Sequence, residues 1–426
     1  MMTKDERRRV LDAPRPVRRL EIVGASREHA ALDDRVRPID RRERPIYAVW
    51  EITLACDLAC RHCGSRAGRA RPDELSTEEA IDLVGQMAAL GVREIALIGG
   101  EVYLYEGWAD VVRAIRRAGI TSTIVTGGRG MTLERARIAA EAGVESVAVS
   151  IDGSEESHDR LRGVRGSYAA AVAALDHLRT AGLQVAINTQ INRLTAGELE
   201  GVYELLERVG GHGWQVQLTV PVGRAADEPD VILQPYDLLE VFPRLAALKR
   251  RADAAGIKMM CGNDVGYFGP YESLLRSHCV DRWAGSCPAG RSGLGVEANG
   301  DIKGCPSLGE DWIGGNIRAH SLKDIWERSR ALRAMRDRTP ADLSGYCAKC
   351  YYGAECAAGC TWMTTALFGR PGNNPYCHHR ALEMQKKGVI ERVERVDEAP
   401  GRPFDTAKWR LVEEPMGLPA DGEARG

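Results

Sequence analysis

Residues 46–64 read IYAVWEITLACDLACRHCG, and this stretch decides how the rest of the chain is interpreted. An apolar run of strand length leads into a loop that carries Cys56, Cys60 and Cys63 in C-x3-C-x2-C spacing. The three thiolates are therefore expected at the C-terminal end of a strand. Three cysteines can hold three irons of a cubane cluster and leave the fourth iron open to a substrate. A zinc site that lacks one ligand, with His62 or a distant residue as the fourth, also fits the spacing.

Residues 46–260 alternate between strand-like and helix-like patterns. The strand-like runs are IYAVWEI, EIALIGG, TSTIV, SVAVSI, VAINTQI and WQVQLTV. Helical spacing lies between them, as in STEEAIDLVGQMAALG, GWADVVRAIRRAG and SYAAAVAALDHLRTAG. Helix starts and stops are predicted at Ser76, Gly91, Gly119, Gly143 and Gly182. Six β–α units predict an α/β fold, with a parallel sheet curved into an open or partial barrel and its chemistry at the C-terminal strand ends.

The twelve cysteines are unevenly distributed along the chain. After the first loop none follows until Cys261, and eight more lie between Cys279 and Cys377. The N-terminus has no apolar core of a secretory signal, so the cysteines indicate metal ligation rather than disulfides. Beyond residue 279 the sequence breaks into short Gly- and Cys-rich loops. Such a segment needs another source of stability, which metal ligation supplies.

The first cysteine loop resembles the signature of the radical S-adenosylmethionine (SAM) superfamily, which lies on the first β–α loop of a partial (β/α)6 TIM-like barrel. The second strand of that family usually ends in a GGE motif, and EIALIGGE ends here in Gly99-Gly100-Glu101. The resemblance implies that this turn meets the amino group of SAM. It implies further SAM-binding positions at Thr126, Ser150, Arg162 and Asn188. On the residues alone, Thr126 and Asn188 are equally well explained as polar caps on strand ends.

The later cysteines resemble the SPASM extension of radical SAM maturases of peptides and proteins. Their pattern is Cys287-x12-Gly300-x4-Cys305, followed by Cys347-x2-Cys350-x5-Cys356-x3-Cys360 and then Cys377. The ligand order of the family implies that the first auxiliary cluster is held by Cys279, Cys287, Cys305 and Cys360. It implies that the second is held by Cys347, Cys350, Cys356 and Cys377. Cys279 is spaced more widely than expected, and without it the first cluster keeps an open iron. On spacing alone, the C-x2-C pairs also fit two zinc knots. Cys261 is assigned to neither cluster and is expected to be a small buried residue.

Four segments are predicted: a basic N-terminal leader (1–45), the barrel (46–260), the auxiliary-cluster domain (261–385) and a C-terminal tail (386–426). The leader has 13 Lys and Arg against 9 Asp and Glu. The net charge of −2 gives no reason to expect nucleic acid, and no apolar stretch is long enough to span a membrane. A cytoplasmic location is the expectation.

The resemblance implies an enzyme that uses three [4Fe–4S] clusters and SAM to remove a hydrogen atom from its substrate. A ribosomal peptide that becomes cross-linked or oxidised is the favoured substrate. The alternatives are a dehydrogenase or ring-forming enzyme for a small molecule, and a non-catalytic iron–sulfur or zinc protein. A flavodoxin or ferredoxin as electron donor and a separate peptide-recognition protein are expected partners. No catalytic residue beyond the SAM cluster is identified.

One feature of the sequence argues against formylglycine formation in sulfatases. In the maturases of that type, an Asp directly follows the cysteine that ends the G-x4-C segment. Here Cys305 is followed by Pro306, which has no acid–base group. Glu310 and Asp311 are close in sequence and replace that Asp only if the loop folds back.

Overall fold

The computed structural model describes residues 9–10, 32–279, 281–282 and 285–416. The strands are β1 (Arg9–Val10), β2 (Tyr47–Thr53), β3 (Glu94–Gly99), β4 (Thr121–Thr126), β5 (Ser146–Ser150), β6 (Gln184–Ile191), β7 (Gly213–Leu218), β8 (Lys258–Cys261), β9 (Gly293–Val296), β10 (Asp301–Lys303), β11 (Gly315–Asn316), β12 (Val389–Asp397) and β13 (Lys408–Pro415).

The helices are α1 (Pro38–Arg42), α2 (Thr77–Leu90), α3 (Trp108–Arg117), α4 (Leu133–Ala142), α5 (Glu155–Arg162), α6 (Ser167–Thr180), α7 (Leu199–Arg208), α8 (Arg224–Asp227), α9 (Leu238–Ala254), α10 (Glu272–Leu275), α11 (Leu322–Arg328), α12 (Arg330–Arg336), α13 (Gly353–Cys356), α14 (Thr361–Phe368) and α15 (His378–Lys386). Short 3-10 turns connect several of them. No helix among the described residues is long and apolar enough to cross a membrane.

The main sheet is a partial, TIM-like barrel built mostly of parallel strands. Its order is β11-β10-β9-β2-β3-β4-β5-β6-β7-β8, and every pair from β9 to β8 is parallel. The six predicted strands are confirmed as β2 to β7. Two parallel strands, β8 and β9, were not predicted, because each has only four residues and shows no clear period.

The helices cover the outer face of this sheet, as the β–α alternation predicts. Alternate residues of the strands are buried against them, for example Ile95 and Leu97 of β3. The predicted cap of α2 is confirmed, since the Ser76 hydroxyl accepts from the backbone N–H of Glu79. Gly91 ends that helix in a left-handed conformation, with φ of 99°. The face that the helices leave open is the inside of the barrel.

The C-terminal region is more structured than the sequence predicted. Residues 386–426 were predicted to be a tail, but β12 and β13 form an antiparallel hairpin that also pairs with β1. The hairpin is fastened to the barrel because the Gln234 side chain exchanges two hydrogen bonds with the backbone of Val393, at 2.8 and 3.3 Å. The prediction of a tail is therefore wrong for residues 389–415. Alternating charged and apolar residues, which looked like solvated chain, give a strand with one buried face.

The N-terminal leader is also partly built into the fold. Asp40 of α1 is fully buried and lies 3.0 Å from the guanidinium groups of both Arg333 and Arg336. Most of the predicted leader, residues 1–8 and 11–31, lies outside the described residues. The predicted boundaries of the four segments stay a prediction. The strand β9 of the auxiliary-cluster region nevertheless pairs with β2, so the barrel sheet continues into that region.

Candidate metal centres

The loop after β2 presents three cysteine sulfurs, each near an N–H group. The backbone N–H of Leu58 lies 3.4 Å from the Cys56 sulfur, and that of Ala67 lies 3.3 Å from the Cys63 sulfur. The Cys60 sulfur is 3.8 Å from Nη1 of Arg162. Such donors stabilise sulfur that carries negative charge, as a thiolate or a metal ligand does. The loop is therefore suited to hold an anionic metal cluster.

The separation of the sulfurs distinguishes a cluster from a single zinc ion. A tetrahedral zinc site with Zn–S bonds of about 2.3 Å requires ligand sulfurs about 3.8 Å apart. Within the described residues, the set of three metal-ligating atoms found within 4.8 Å of one another is Cys56 with the carboxylates of Asp57 and Glu101. The sulfurs of Cys56, Cys60 and Cys63 do not form such a set, so at least one pair of them is more than 4.8 Å apart. This arrangement is compatible with a polynuclear iron–sulfur cluster.

His62 gives no support to the zinc alternative either. Burial, together with the positive charge of Arg162, lowers the pKa of His62 to about 3, while Asp152 opposes this. The imidazole thus lies in the charge environment of Asp152 and Arg162. It joins no compact set of metal ligands among the residues that the structure describes.

The GGE turn is packed against the backbone that leads into the cysteine loop. The N–H of Gly100 donates to the carbonyl of Thr53 at 2.7 Å, and the N–H of Glu101 donates to that of Ala55 at 2.8 Å. A Cβ atom on Gly100 would stand 1.9 Å from the carbonyl oxygen of Ala55. Gly99 has φ of +127°, which also favours glycine. The two glycines therefore allow close approach of the turn to the segment preceding Cys56.

The carboxylate of Glu101 is buried and bound by two donors. The hydroxyl of Thr126 donates to one oxygen, and the backbone N–H of Gly127 donates to the other at 2.6 Å. Burial raises the pKa of Glu101 to about 7, and the two donors oppose that rise. The structure thus brings together Glu101 and Thr126, two of the predicted SAM-binding residues. An approaching ammonium group would favour the ionised form of this carboxylate.

The other two strand-end positions lie beside this pair. Ser150 ends β5 and is paired in register with Asn188 of β6, while Thr126 of β4 is paired with Val149. The carbonyl of Asn188 also accepts from the backbone N–H of Ile151 at 3.0 Å. Thr126, Ser150 and Asn188 therefore follow one another along the same edge of the barrel. Their arrangement is as predicted, and their contact with SAM stays a prediction.

Arg162 occupies a position that the sequence did not anticipate. Its Nε donates to Oδ2 of Asp152 at 2.7 Å, and its Nη1 lies near the sulfur of Cys60. Asp152 is fully buried and Arg162 nearly so. The structure shows Arg162 joined to Asp152 and Cys60, and its predicted role in SAM binding stays a prediction. Asp152 was not predicted as a site residue.

Three of the four cysteines predicted for the first auxiliary cluster lie together. Burial raises the pKa of Cys360 well above its usual value, and the nearby thiols of Cys287 and Cys305 raise it further. Cys287 and Cys305 also pack against the same small apolar cluster, which includes Leu308. No described interaction joins Cys279 to these three, and residues 280, 283 and 284 next to it lie outside the described chain. Its role as a ligand stays a prediction.

The four cysteines predicted for the second auxiliary cluster line one cavity. Its wall contains Cys347, Cys350, Cys356 and Cys377. The backbone N–H of Asn374 donates to the sulfur of Cys347 at 3.4 Å. These four residues are 30 positions apart at most in sequence, and the structure brings them around one space. Cys261, by contrast, is buried in β8, as predicted for a structural residue.

Residues far along the chain also support the first loop, and sequence reasoning missed them. Arg224 at the start of α8 donates through its side chain to the carbonyl of Cys60 at 2.9 Å, and through its backbone N–H to that of Cys63 at 3.0 Å. The backbone N–H of Phe404 donates to the carbonyl of Gly64 at 2.9 Å. These contacts join residues more than 150 positions apart, and no local pattern signals them.

Comparison with known proteins places these sites in a family context. The description "Radical SAM superfamily" matches residues 50–206, and "Iron-sulfur cluster-binding domain", SPASM, matches residues 287–351. The chain is 29% identical over 343 residues to the AdoMet-dependent heme synthase of Methanosarcina barkeri, covering 79% of this chain and 97% of that protein. It is 28% identical over 366 residues to the PqqA peptide cyclase of Rhizobium meliloti, covering 84% and 92%.

A solved structure shows the same fold. Streptococcus suis SuiB bound to S-adenosylmethionine superimposes with a TM-score of 0.60 at 16% identity, covering 79% of this chain and 76% of that chain. The partial barrel, followed by a region that matches the SPASM description, is the observed architecture of this chain.

Proposed function

Because this chain belongs to the radical SAM superfamily and carries a SPASM domain, we propose that it is a maturase that modifies a ribosomal peptide by radical chemistry. The proposed outcome is a cross-link or an oxidised residue. The curated PqqA peptide cyclase is similar over most of both chains and supports a peptide substrate. The observation that carries the proposal is the chemical character of the inner wall of the barrel.

That wall carries four carboxamide side chains on two adjacent strands. Asn188 and Gln190 of β6 are paired in register with Gln215 and Gln217 of β7. All four are partly exposed, while the intervening residues are buried on the helix-covered side, where Trp214 packs on Tyr203 of α7. Residues of a strand alternate between faces, so the four carboxamides lie on the inner face. We call Asn188, Gln190, Gln215 and Gln217 the amide wall.

The amide wall is suited to a peptide. Among the described residues, none of its four side chains has a hydrogen-bond partner, so each carboxamide has a donor and an acceptor available. A peptide backbone offers one N–H and one C=O per residue, which is the complementary set. Burying these carboxamides against an apolar substrate would leave them unsatisfied, at a cost of about 1–3 kcal/mol each.

The proposed cofactors are three [4Fe–4S] clusters and SAM. Cys56, Cys60 and Cys63 would hold the cluster that binds SAM, and the two auxiliary clusters take the cysteines assigned above. When bound, the reduced cluster supplies the electron that breaks a C–S bond of SAM and produces a 5′-deoxyadenosyl radical, which removes a hydrogen atom from the substrate.

The residues around the first loop have defined tasks in this proposal. Glu101 would accept the ammonium group of SAM, and Thr126 holds its carboxylate in place. Ser150 and Asn188 would contact the ribose side of SAM at the ends of β5 and β6, which leaves Gln190, Gln215 and Gln217 of the amide wall to the peptide. Asp152 fixes Arg162 beside Cys60, so that its positive charge offsets the negative charge of the cluster ligands. None of these tasks requires a general acid or base.

Formylglycine formation is not part of the proposal. Glu310 and Asp311, the first carboxylates that follow Pro306, are both exposed, and Glu310 pairs with Arg402 at 3.3 Å. A base must lie within hydrogen-bond reach of the proton that it takes, and a carboxylate paired at the surface does not. A peptide with a sulfatase motif is therefore expected to give no aldehyde.

A second candidate is a small-molecule substrate. It is favoured by the similarity to the AdoMet-dependent heme synthase of M. barkeri, which covers nearly all of that protein. The two candidate substrates differ in the hydrogen bonds that they offer to the amide wall. A largely apolar small molecule would leave the amide wall unpaired, whereas a peptide would use it.

Mass spectrometry of a candidate precursor peptide co-expressed with the chain tests the proposal. Each oxidative modification is expected to remove two hydrogens, a loss of about 2 Da. Replacing both Gln215 and Gln217 by Leu should abolish peptide modification while SAM cleavage without substrate continues. Gln184→Leu, at the exposed start of β6, is the matched control and should modify the peptide normally. Full modification by the double variant would contradict the proposed role of the amide wall.

The proposed partners follow from the electron count. Reduction of the SAM cluster requires a donor, for which a flavodoxin or ferredoxin is suited, and oxidation of the substrate returns an electron that the auxiliary clusters can carry away. A separate peptide-recognition protein is also proposed. The four segments 1–45, 46–260, 261–385 and 386–426 remain our proposed division of the chain, with a strand hairpin inside the last.

A further inference from the structure

Arg338 follows α12 and lies beside Cys360, a cysteine of the first auxiliary set. Its Nη1 donates to the hydroxyl of Thr361 at 2.9 Å. Thr361 is fully buried and directly follows Cys360, the cysteine at the start of α14. The guanidinium group is thereby held next to a proposed ligand of the first auxiliary cluster.

The other nitrogens of Arg338 have no partner of their own. Both Nε and Nη2 are buried, and neither has a hydrogen-bond partner in the described part of the chain. No carboxylate there lies within ion-pair distance of the group either. A buried charged donor that stays unsatisfied costs more than the roughly 1–3 kcal/mol of a neutral one. Such a group is expected to have an acceptor in the functional protein.

Thiols of both cysteine sets act on the charge of Arg338. Burial lowers the pKa of Arg338, while the thiols of Cys287 and Cys360, the carboxylate of Asp342 and the thiol of Cys356 act in the opposite direction. Cys287 and Cys360 belong to the first proposed cluster, and Cys356 belongs to the second. The cation is therefore near sulfurs of both sets.

Arg380, beside the second auxiliary cysteine set, differs from Arg338 in having a carboxylate partner. Its guanidinium forms two hydrogen bonds of 2.6 Å to the buried carboxylate of Glu391, so its charge is compensated within the protein. Arg338 has no such compensation. Of these two arginines, it is the one whose buried charge is left for the metal clusters.

We propose that Arg338 is a positioning residue that donates hydrogen bonds to sulfurs of the auxiliary clusters and raises their reduction potentials. This inference rests on the proposed presence of both clusters. Reduction adds negative charge to a cluster, and a buried cation with N–H donors stabilises that charge. By acting on both clusters at once, Arg338 favours electron transfer from the substrate side into this region.

The test uses a chain that holds the auxiliary clusters alone, obtained by replacing Cys56, Cys60 and Cys63 with Ala. Anaerobic reconstitution of this background should give about eight irons per chain, two cubanes of four. Arg338→Gln in the same background should keep that iron and shift the midpoint potentials of the auxiliary clusters to more negative values in an EPR-monitored titration. The matched control is Arg330→Gln, because Arg330 lies on α12 but its side chain is 77% exposed and pairs with Asp33.

Unchanged midpoint potentials in a fully loaded Arg338→Gln chain would overturn the inference and leave the proposed function intact. If the background chain itself binds no iron, the cluster assignment fails instead. A second measurement does not depend on the glutamine variant. With ¹⁵N-arginine, the reduced auxiliary clusters should show a nitrogen coupling in pulsed EPR that Arg338→Lys removes or weakens. An unchanged coupling in Arg338→Lys would also overturn the inference.

Discussion

Replacing Gly100 by Ala should disconnect the GGE turn from the cysteine loop. The added Cβ would lie 1.9 Å from the carbonyl oxygen of Ala55 and 2.5 Å from its carbonyl carbon, and both are backbone atoms that cannot rotate away. The gap must open by about 1.5 Å to reach an ordinary contact of 3.4 Å. That movement breaks the hydrogen bonds of the turn to Thr53 and Ala55, each worth about 1 kcal/mol, in addition to overpacking of about 1–3 kcal/mol.

The assay is iron content together with formation of 5′-deoxyadenosine after anaerobic reconstitution. Since Cys56 directly follows Ala55, we expect Gly100→Ala to lose about four irons, one cubane, and all SAM cleavage, while the auxiliary clusters stay. Gly68→Ala is the matched control. Gly68 lies in the same loop and bridges to Ala55, but its Cβ would meet nothing within 4 Å. A Gly100→Ala chain that keeps its full iron and cleaves SAM like the control would refute this reasoning.

Three further variants test the site and its supports. Glu101→Ala should weaken SAM binding about ten- to a hundredfold while the iron content stays unchanged, because a charge-assisted hydrogen bond of roughly 1.5–3 kcal/mol is lost. An unchanged dissociation constant for SAM would show that the GGE motif only forms a turn. Burial and the charge of Glu297 raise the pKa of Glu51 to about 8. The Glu51 carboxyl therefore holds its proton more tightly in the folded chain than in the unfolded chain, and the folded chain should lose stability as pH rises from about 4.5 to about 8. Glu51→Gln should flatten that slope in denaturation curves, and an identical slope would contradict the shift. Arg380→Met should lower the unfolding free energy by about 3–5 kcal/mol because it leaves Glu391 buried without its partner, whereas the double replacement of both residues should cost less, and equal losses would argue against a buried ion pair.

The sequence predicted the parts of the fold that repeat or that have local signals. The helices α2, α4 and α5 each begin at a capping Ser or Thr and end at a left-handed glycine, so pattern and turn chemistry agree in these units. The two auxiliary cysteine groups were assigned from the ligand order that the SPASM resemblance implies, because their members are too far apart in sequence for spacing alone to group them. Glu101 and Thr126 were named through the radical SAM resemblance, but their mutual hydrogen bond was not predicted.

The remaining features depend on contacts between distant segments. The strand β9 has four residues and exists because β2 offers an open edge, which no local pattern reveals. The hairpin of β12 and β13 was taken for a tail because charged residues alternate with apolar ones in both solvated chain and half-buried strands. Arg224 and Arg338 could not be predicted, since an arginine among 58 basic residues is distinguished only by what surrounds it.

The most direct test of the central claim is the amount of 5′-deoxyadenosine that the anaerobically reconstituted chain forms from SAM with a strong reductant. The chain should bind about twelve irons, three cubanes of four, and release 5′-deoxyadenosine. The chain with Cys56, Cys60 and Cys63 replaced by Ala should retain about eight irons and release none. Stoichiometric zinc without iron under strict anaerobiosis, or equal 5′-deoxyadenosine formation by the two chains, would contradict the account.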